Sequence, residues 1–357
     1  MNAPEIPPRL REPDNEGIDE YIVGTAMNDA PATLYPMKEL FIRSTGNLIA
    51  ALTNGNDRFV IINYHRVLDV PSPYLGAEPD IKVFSWQMEL LARCFNVLPL
   101  RQALAMAASH TLPPRAACIT FDDGYRSVHD LALPVLHRLG LPATVFVSSG
   151  YLGQHNMWND RIIEAVQFYP DDGLDLAEFG LGTYPLRTMS ERTASLERLT
   201  EASKYLPPQE RLRLVRRLQA LIGDPQTDGL MLTPDMVRSL DAHGIEIGAH
   251  TISHPILTSL DDGSAREEIA GSKRDLEILL GKPVSLFAYP NGKVGKDYDE
   301  RHVRMVREAG FEAAFTTAVG AACGRQDRYQ LPRSRPWDTT PLRFGLRLLQ
   351  WLALARR

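Results

Sequence analysis

Cysteine is scarce in this chain, with three residues among 357, and they lie far apart at Cys94, Cys118 and Cys323. An odd number of cysteines without a C-x-x-C pair argues against a disulfide framework and against a cysteine-based metal or redox motif. Isolated cysteines of this kind are typical of small buried hydrophobic residues in a reduced protein. We therefore expect a cytoplasmic location.

Excess positive charge and long apolar runs are also missing. Lysine and arginine total 39 against 44 aspartates and glutamates, so nucleic acid is not an expected partner. No segment reaches the roughly 20 apolar residues of a membrane span, and the first residues lack the apolar core of a signal peptide. We predict a disordered leader over residues 1–36 and an amphipathic helix over 37–57. An export signal behind a misassigned start is the alternative for the second stretch.

From residue 58 onward, short apolar segments alternate with amphipathic stretches. We predict strands over 59–63, 95–98, 117–121, 143–147, 245–248, 284–288 and 313–317. We predict helices over 86–93, 127–139, 234–242, 265–280 and 298–309. Near-continuous apolar strands separated by helices are typical of parallel strands covered on their faces. The expected fold class is therefore α/β, an incomplete seven-stranded (β/α) barrel, with a doubly wound open sheet as the alternative.

The strand–helix rhythm is interrupted between about residues 154 and 230, where polar turns surround a charged helical run. We predict a helical insertion on the loop after the fourth strand. Loops at that end of a barrel carry function, so the insertion is placed to cover a substrate site. A passive decoration is the alternative.

Reactive residues follow several of the predicted strands. His65 follows the first strand, Asp122 and Asp123 follow the third, and His250 follows the fifth, with His254 four residues later. The carboxyl ends of barrel strands are where active sites are assembled. Two imidazoles and one carboxylate with open positions form a standard catalytic site for a divalent metal. The second carboxylate of the adjacent pair is then available as a general base.

Two segments resemble motifs of a known family. Residues 120–125 (TFDDGY) and 250–255 (HTISHP) are similar to the first two motifs of the polysaccharide deacetylases, also called NodB-homology proteins or family 4 carbohydrate esterases. The resemblance covers roughly residues 58–335, and the domain that it predicts spans residues 58–337. It implies that Asp122 is the general base and that Asp123, His250 and His254 bind a divalent metal, with zinc expected and cobalt, nickel or manganese as alternatives.

The chain departs from the family pattern at two places. Ala288, in residues 287–292 (FAYPNG), stands where the third motif has an arginine, and the late leucine-histidine motif is missing after Thr317. Residues 63–67 (NYHRV) resemble the early Tyr-His segment of the circularly permuted poly-N-acetylglucosamine deacetylases. That resemblance implies that His65 protonates the departing amine, with a buried structural histidine as the alternative. Arg333 is a candidate to orient Asp122 in place of the missing arginine, or else an exposed or structurally paired residue.

Further residues are candidates for substrate contact. A backbone N–H in the turn from Tyr289 through Asn291 to Gly292 is suited to stabilise an oxyanion, which needs geometry rather than a particular side chain. Trp158 and Tyr125 are candidates to stack on a sugar ring, although both residue types often simply pack.

The tail, residues 338–357, has the pattern of an amphipathic helix. Arg343, Arg347 and Gln350 share one face, apolar residues cover the rest, and no acidic residue follows Asp338. This pattern is typical of a helix at an anionic membrane surface. It is equally typical of a helix docked on its own domain or on a partner subunit. A peripheral position at the inner face of the membrane is thus an open expectation.

Together these features predict a hydrolase that removes the acetyl group from an N-acetylated amino sugar, in an exopolysaccharide or a cell-envelope glycan precursor. A deformylase or deacetylase of a lipid-linked sugar is one alternative. A catalytically silent carbohydrate-binding relative is the other, and it is favoured by the missing arginine. The sequence leaves the oligomeric state open.

Overall fold

The computed structural model of the chain describes residues 34–53, 55–154, 156–223, 229–335 and 338–354. Its strands are β1 (Arg58–Tyr64), β2 (Asn96–Val97), β3 (Ala116–Phe121), β4 (Thr144–Val147), β5 (Gly173–Asp175), β6 (Thr183–Pro185), β7 (Glu246–Ala249), β8 (Leu286–Ala288), β9 (Ala313–Phe315) and β10 (Ala322–Cys323). Its helices are α1 (Leu34–Thr53), α2 (Ile81–Cys94), α3 (Leu100–Ala108), α4 (Leu133–Leu139), α5 (Trp158–Phe168), α6 (Met189–Lys204), α7 (Pro208–Ile222), α8 (Pro234–Ala242), α9 (Asp262–Leu280), α10 (Glu300–Glu308) and α11 (Pro341–Leu354).

The N-terminal helix differs from its predicted bounds of 37–57. It begins at Leu34, inside the predicted leader, and it ends at Thr53, before a short 3-10 turn at Gly55–Asp57. The rest of the predicted leader, residues 1–33, lies outside the described residues.

The main sheet has the order β10-β1-β3-β4-β7-β8-β9, with β2 paired to β3 at its side. The strands from β1 to β9 along this path are parallel, whereas β10 pairs antiparallel with β1. Residues 331–334 connect the two outer parallel strands, because Leu331 bridges to Phe315 in β9 and Ser334 bridges to Ile62 in β1. The predicted incomplete (β/α) barrel is confirmed, and the doubly wound sheet is wrong. The sequence did not predict the antiparallel strand β10.

Alternate side chains of the strands enter two separate apolar clusters. Phe146 in β4 and Phe315 in β9 belong to one of them, with ring centroids 5.4 Å apart although their strands are not neighbours. That cluster therefore fills the interior of the curled sheet. Cys118 in β3 and Ile61 in β1 belong to it too. Because side chains alternate along a strand, the inward positions at the carboxyl ends of these two strands fall on Asp122 and Asn63.

The segment between β4 and α8 is an insertion with a small core of its own. It comprises α5, the two-stranded hairpin β5–β6, α6 and α7, so it holds a hairpin that the helical prediction missed. The core includes Ile162, Leu174, Tyr184, Leu199, Leu214 and Leu218. At its start, Asp160 forms a buried ion pair with Arg66, which follows β1. This pair ties the insertion to the barrel beside the carboxyl ends of the strands.

The C-terminal helix α11 packs on α1 and α2. Its apolar face is buried in the domain and includes Phe344, Leu348, Leu349, Trp351 and Leu352. Of the alternatives predicted for the tail, the structure favours docking on its own domain, and it leaves this apolar face unable to contact lipid. Among the described helices, none combines the length and the apolar character that a membrane crossing requires.

Candidate active site

The two adjacent aspartates lie at the carboxyl end of β3, and both are buried. Asp122 still belongs to the sheet, since its N–H donates to the carbonyl of Tyr64 at 2.9 Å. Asp123 has a left-handed backbone with φ of 73°. That conformation costs a non-glycine residue about 1 kcal/mol, and it breaks the alternation of the strand. Two consecutive carboxylates can therefore be buried in the same polar cluster.

Asp122 is held by a bidentate pair with Arg333. Nη1 and Nη2 of the arginine donate to Oδ1 and Oδ2 at 2.6 and 2.7 Å, and Asn63 Nδ2 donates to Oδ2 at 3.0 Å. Both partners of the ion pair are almost fully buried. Burial alone would raise the pKa of Asp122, but the charges of Arg333 and His250 hold it below its ordinary value. Asp122 is therefore an oriented, ionised carboxylate.

Asp123 faces two histidines instead. Its Oδ1 lies 3.4 Å from His250 Nε2 and 3.3 Å from His254 Nε2. The ligand atoms of the three residues all lie within 4.8 Å of one another. His250 Nδ1 lies 2.7 Å from the carbonyl of Ala288, to which it donates in the tautomer that leaves the Nε2 lone pair free for a ligand. Asp123 Oδ1 is buried without a hydrogen-bond donor among the described residues.

Burial and neighbouring charges shift the pKa values of Asp123 and the two histidines in different directions. Burial lowers the pKa of His254 to about 4, so its imidazole is neutral at pH 7. Burial opposes ionisation of Asp123, yet the nearby histidines hold its pKa below the ordinary value. Burial opposes protonation of His250, but the charges of Asp122 and Asp123 outweigh it and raise the pKa of this imidazole. Neutral imidazoles and ionised carboxylates are the forms that ligate metals, so a metal would compete with a proton at His250. Two nitrogens and one oxygen, with an orphaned buried oxygen among them, fit a divalent metal with open positions for substrate and water.

The loop that carries the histidines follows β7 and is not helical. Thr251 and His254 both have positive φ, and Thr251 Oγ1 accepts from the His254 N–H at 3.1 Å. The carboxylate of Glu268 in α9 accepts from the N–H groups of Ile252 and Ser253 at 2.8 Å each. These bonds compensate the strained backbone and fix the separation of the two imidazoles.

A cleft of about 480 Å³ opens above these residues. His65, which directly follows β1, lines it, is half-buried, and has an enclosed Nδ1 without a hydrogen-bond partner among the described residues. The remaining wall includes Asp122, His250, His254, Asn291, Arg333, Trp158, Thr200, Glu201 and Lys204. The insertion therefore supplies one side of the cleft.

The two candidates in the turn after β8 have different positions. Tyr289 is fully buried, its ring stacks on Tyr298 with centroids 3.8 Å apart, and its hydroxyl donates to the carbonyl of Tyr329. The core therefore encloses its side chain, and the predicted oxyanion contact of this turn, which needs only a backbone N–H, stays a prediction. Asn291 lines the cleft with a positive φ of 58°. The N–H groups of Tyr289 and Gly292 already donate to the carbonyls of Phe315 and Pro290, so the turn can offer the Asn291 N–H.

The two aromatic candidates also differ. Tyr125 is buried, its hydroxyl lies 3.2 Å from Asp160 Oδ2, and the Arg66 guanidinium carbon lies 3.9 Å from its ring centroid. Of the two alternatives for Tyr125, these contacts favour packing, since they anchor the insertion to the barrel. Trp158 lines the cleft, but it also packs on the insertion core, with the Arg211 guanidinium carbon 4.7 Å from its ring centroid.

Sequence reasoning missed Asn63, which holds Asp122, and the residues of α6 that line the cleft. The alternation of side chains along a strand could have identified Asn63. It lies two residues before His65 at the carboxyl end of β1, so both side chains are expected on the same face. The α6 residues are 78 or more positions beyond Asp122 and carry no motif, so no local pattern connects Thr200, Glu201 or Lys204 to the cleft.

Comparisons with known proteins identify related chains. The Staphylococcus aureus poly-beta-1,6-N-acetyl-D-glucosamine N-deacetylase is 26% identical over 168 residues, which cover 41% of this chain and 58% of that protein. This chain spans less than two thirds of the length of the curated relatives it matches.

Solved structures share the fold. The Streptococcus pyogenes deacetylase PplD in complex with acetate superposes with a TM-score of 0.55 at 17% identity, over 82% of this chain and 98% of that chain. IcaB from Ammonifex degensii superposes with a TM-score of 0.53 at 20% identity, over 83% and 97%. At such identities the likeness establishes the fold alone.

The sequence profile described as polysaccharide deacetylase matches residues 109–314, which is more than half of the chain. This stretch includes both aspartates of the site and both histidines of the Asp123 cluster. The match confirms the resemblance noted in the sequence. The chain therefore belongs to the polysaccharide deacetylase family.

Proposed function

We propose that this chain is a metal-dependent N-deacetylase that hydrolyses the acetamide of an N-acetylated amino sugar in a polysaccharide or a cell-envelope glycan precursor. The observation that carries the proposal is the division of the adjacent carboxylates between two environments. Asp122 pairs with a guanidinium, whereas Asp123 faces two imidazoles. The name of the S. aureus relative supports a polymer of N-acetylglucosamine as the substrate class.

Asp123, His250 and His254 would hold the metal, with zinc expected and cobalt, nickel or manganese as alternatives. When bound there, a divalent metal polarises the amide carbonyl and lowers the pKa of a water molecule beside it. The ligand set leaves positions open for both. In zinc hydrolases, sites with three protein ligands are catalytic, whereas four protein ligands are typical of structural sites.

Asp122 would take a proton from the attacking water. The bidentate contact with Arg333 and the bond from Asn63 fix the direction of its lone pairs. The same contacts hold the pKa of Asp122 below its ordinary value, so the carboxylate stays ionised. A lower pKa also makes the carboxylate a weaker base. A positioned base of modest strength is the result.

Two other residues would complete the reaction. His65 would donate a proton to the nitrogen of the leaving amine, since it lines the cleft with Asp122 and His250. The Asn291 N–H would stabilise the negative charge that develops on the amide oxygen. One water is consumed, and acetate and the free amino sugar are released. The role of His65 rests on its position at the end of β1, across the site from the histidine loop after β7.

Acetate release from N-acetylglucosamine oligomers tests this proposal. A chelator should abolish the release, and added zinc or cobalt should restore it. Asp122→Asn should lower kcat by about 10² to 10⁴, while Asp171→Asn, at an exposed position of the insertion, should leave it unchanged. If the Asp122→Asn protein released acetate as fast as the parent, Asp122 would not be the base.

The alternative functions make different predictions in the same assay. A silent carbohydrate-binding relative would release no acetate from any N-acetylated sugar. The missing arginine favoured that reading, but Arg333 brings a guanidinium to Asp122 from another segment, which weakens the argument. A deformylase or deacetylase of a lipid-linked sugar would release formate or acetate from lipid-linked substrates and little from free oligomers.

A further inference from the structure

The outer face of α1 is apolar. Five of its large side chains are exposed, namely Met37 (70%), Leu40 (65%), Phe41 (55%), Leu48 (59%) and Leu52 (76%). At 3.6 residues per turn these positions fall within about 120° of one another around the helix. A helix on the surface of a soluble domain normally turns polar residues to solvent. An apolar outer face of this extent therefore indicates a contact that the described residues do not make.

The opposite face of α1 is the one that packs on the domain. Ile42 is buried, and a Cβ on Gly345 of α11 would lie 2.6 Å from it. A Cβ on Gly46 would lie 2.8 Å from Leu349 of α11, so the two helices approach closely here. The helix α1 therefore already buries one face in the domain. The exposed apolar side chains lie on a second face, which is not the one that packs on the core.

Basic residues flank the exposed face. Within α1 and α11 the charged residues are Lys38, Arg43, Arg343 and Arg347 against the single acid Glu39. Glu39 is itself paired with Arg93 at 3.0 Å, and Arg347 is paired with Asp338 at 3.2 Å. Lys38, Arg43 and Arg343 remain as the cations of the two helices without an ion pair among the described residues. Leu346 and Leu354 of α11 are exposed as well.

We propose that the outer face of α1 docks on an anionic lipid surface, with α11 beside it. The apolar stripe from Met37 to Leu52 is about 22 Å long, the length of a helix that lies in the interface rather than across it. The exposed lysine and arginines are complementary to acidic headgroups. A second copy of the chain fits less well, since a symmetric contact would bring basic flanks of both copies together. The membrane contact expected for the tail thus belongs to α1.

Flotation of the full-length chain with lipid vesicles tests this inference, which does not depend on catalytic activity. The protein should float with vesicles of phosphatidylcholine and phosphatidylglycerol, and a smaller fraction should float with vesicles of phosphatidylcholine alone. Added salt should lower the fraction bound to the anionic vesicles. The double substitution Phe41→Glu/Leu48→Glu should lower the fraction bound by at least about tenfold, since two apolar contacts are lost and two negative charges are gained.

The matched control is Ile278→Glu, which adds a negative charge at a position of α9 that is 77% exposed. Its vesicle binding and melting temperature should equal those of the parent, and the melting temperature of the α1 variant should also be unchanged. The inference is overturned if the parent does not float with anionic vesicles or if Ile278→Glu loses as much binding. It is also overturned if the α1 variant changes only the mass in analytical ultracentrifugation, which would assign the face to a second copy.

Discussion

The substitution Arg333→Met removes the guanidinium from Asp122 and keeps the apolar stem of the side chain. In the parent protein two short bonds, 2.6 and 2.7 Å, join the two residues, and both side chains are shielded from water. After the substitution the carboxylate keeps the bond from Asn63 at 3.0 Å. Breaking a buried ion pair on one side costs about 3–5 kcal/mol, because the remaining charge is left without compensation.

The loss of folding stability caused by Arg333→Met should depend on pH. The folded-state pKa of Asp122 lies below its ordinary value, so the pair contributes stability above about pH 4 that is lost as pH falls through the folded-state pKa. Without Arg333, burial should raise the pKa of Asp122. The stability difference between parent and variant should therefore be full at pH 7, decrease as pH falls below the raised pKa of the variant, and become small only below the folded-state pKa of the parent. The acidic limb of the kcat/KM profile should move to higher pH in the variant, as expected for a base that has lost its cation.

Urea denaturation of four proteins, namely the parent, Arg333→Met, Asp122→Asn and Asp122→Asn/Arg333→Met, measures the effect. The double variant should be more stable than the sum of the single losses predicts, with a coupling of about 1–3 kcal/mol. Arg347→Met is the matched control, since Arg347 pairs with Asp338 at 3.2 Å with nearly half of its side chain exposed, and it should lose at most about 1 kcal/mol. A loss below 1 kcal/mol for Arg333→Met, or additive losses in the double variant, would refute the reasoning.

Three further changes have expected outcomes. Chelation of the metal should lower the melting temperature, because Asp123 Oδ1 is then buried without a partner. A saturating metal should restore about 2–3 kcal/mol of folding stability, measured in a thermal scan. An unchanged melting temperature would argue against the site. His65→Gln should lower kcat by about 10² to 10⁴ at unchanged metal content, measured by acetate release and metal analysis, and full activity would make His65 structural. Asp160→Asn leaves Arg66 buried without its anion and should cost about 3–5 kcal/mol of folding stability, measured by urea denaturation. It should also raise KM, since this pair ties the insertion to the barrel beside the cleft. An unchanged KM would show that the insertion does not shape the cleft.

The strand ends could be predicted because two local patterns agree. Apolar segments such as 117–121 alternate with amphipathic stretches, and polar residues follow them at once. The carboxyl ends of parallel strands meet at one edge, so residues far apart in sequence, such as Asp123 and His250, can be placed together from the pattern alone. The structure brings their ligand atoms to within 4.8 Å.

The partner of Asp122 was harder to identify. Arg333 lies 211 positions later, on the segment 331–334 that connects β9 to β1. That segment is too short to show a strand pattern, and its position follows from the curl of the whole sheet. The sequence left open whether Arg333 orients Asp122 or is an exposed or structurally paired arginine, and the tertiary contact with Asp122 decides between these alternatives.

Local backbone geometry was also beyond sequence reasoning. Asp123, Thr251, His254 and Asn291 have positive φ without being glycine. A left-handed conformation is unusual for a β-branched residue such as threonine, and the surrounding bonds impose it. Residue type was equally uninformative for the aromatic candidates. Tyr125 is enclosed by the insertion. The sequence does not show where the insertion packs on the barrel, so it could not predict that this ring is buried.

The most direct test of the central claim compares two isosteric variants of the adjacent carboxylates. Metal content and acetate release from N-acetylglucosamine oligomers would be measured for Asp122→Asn and Asp123→Asn side by side. The division of roles predicts that Asp122→Asn retains its metal and loses turnover, whereas Asp123→Asn loses both. Loss of metal in Asp122→Asn, or acetate release at the parent rate in either variant, would contradict the account.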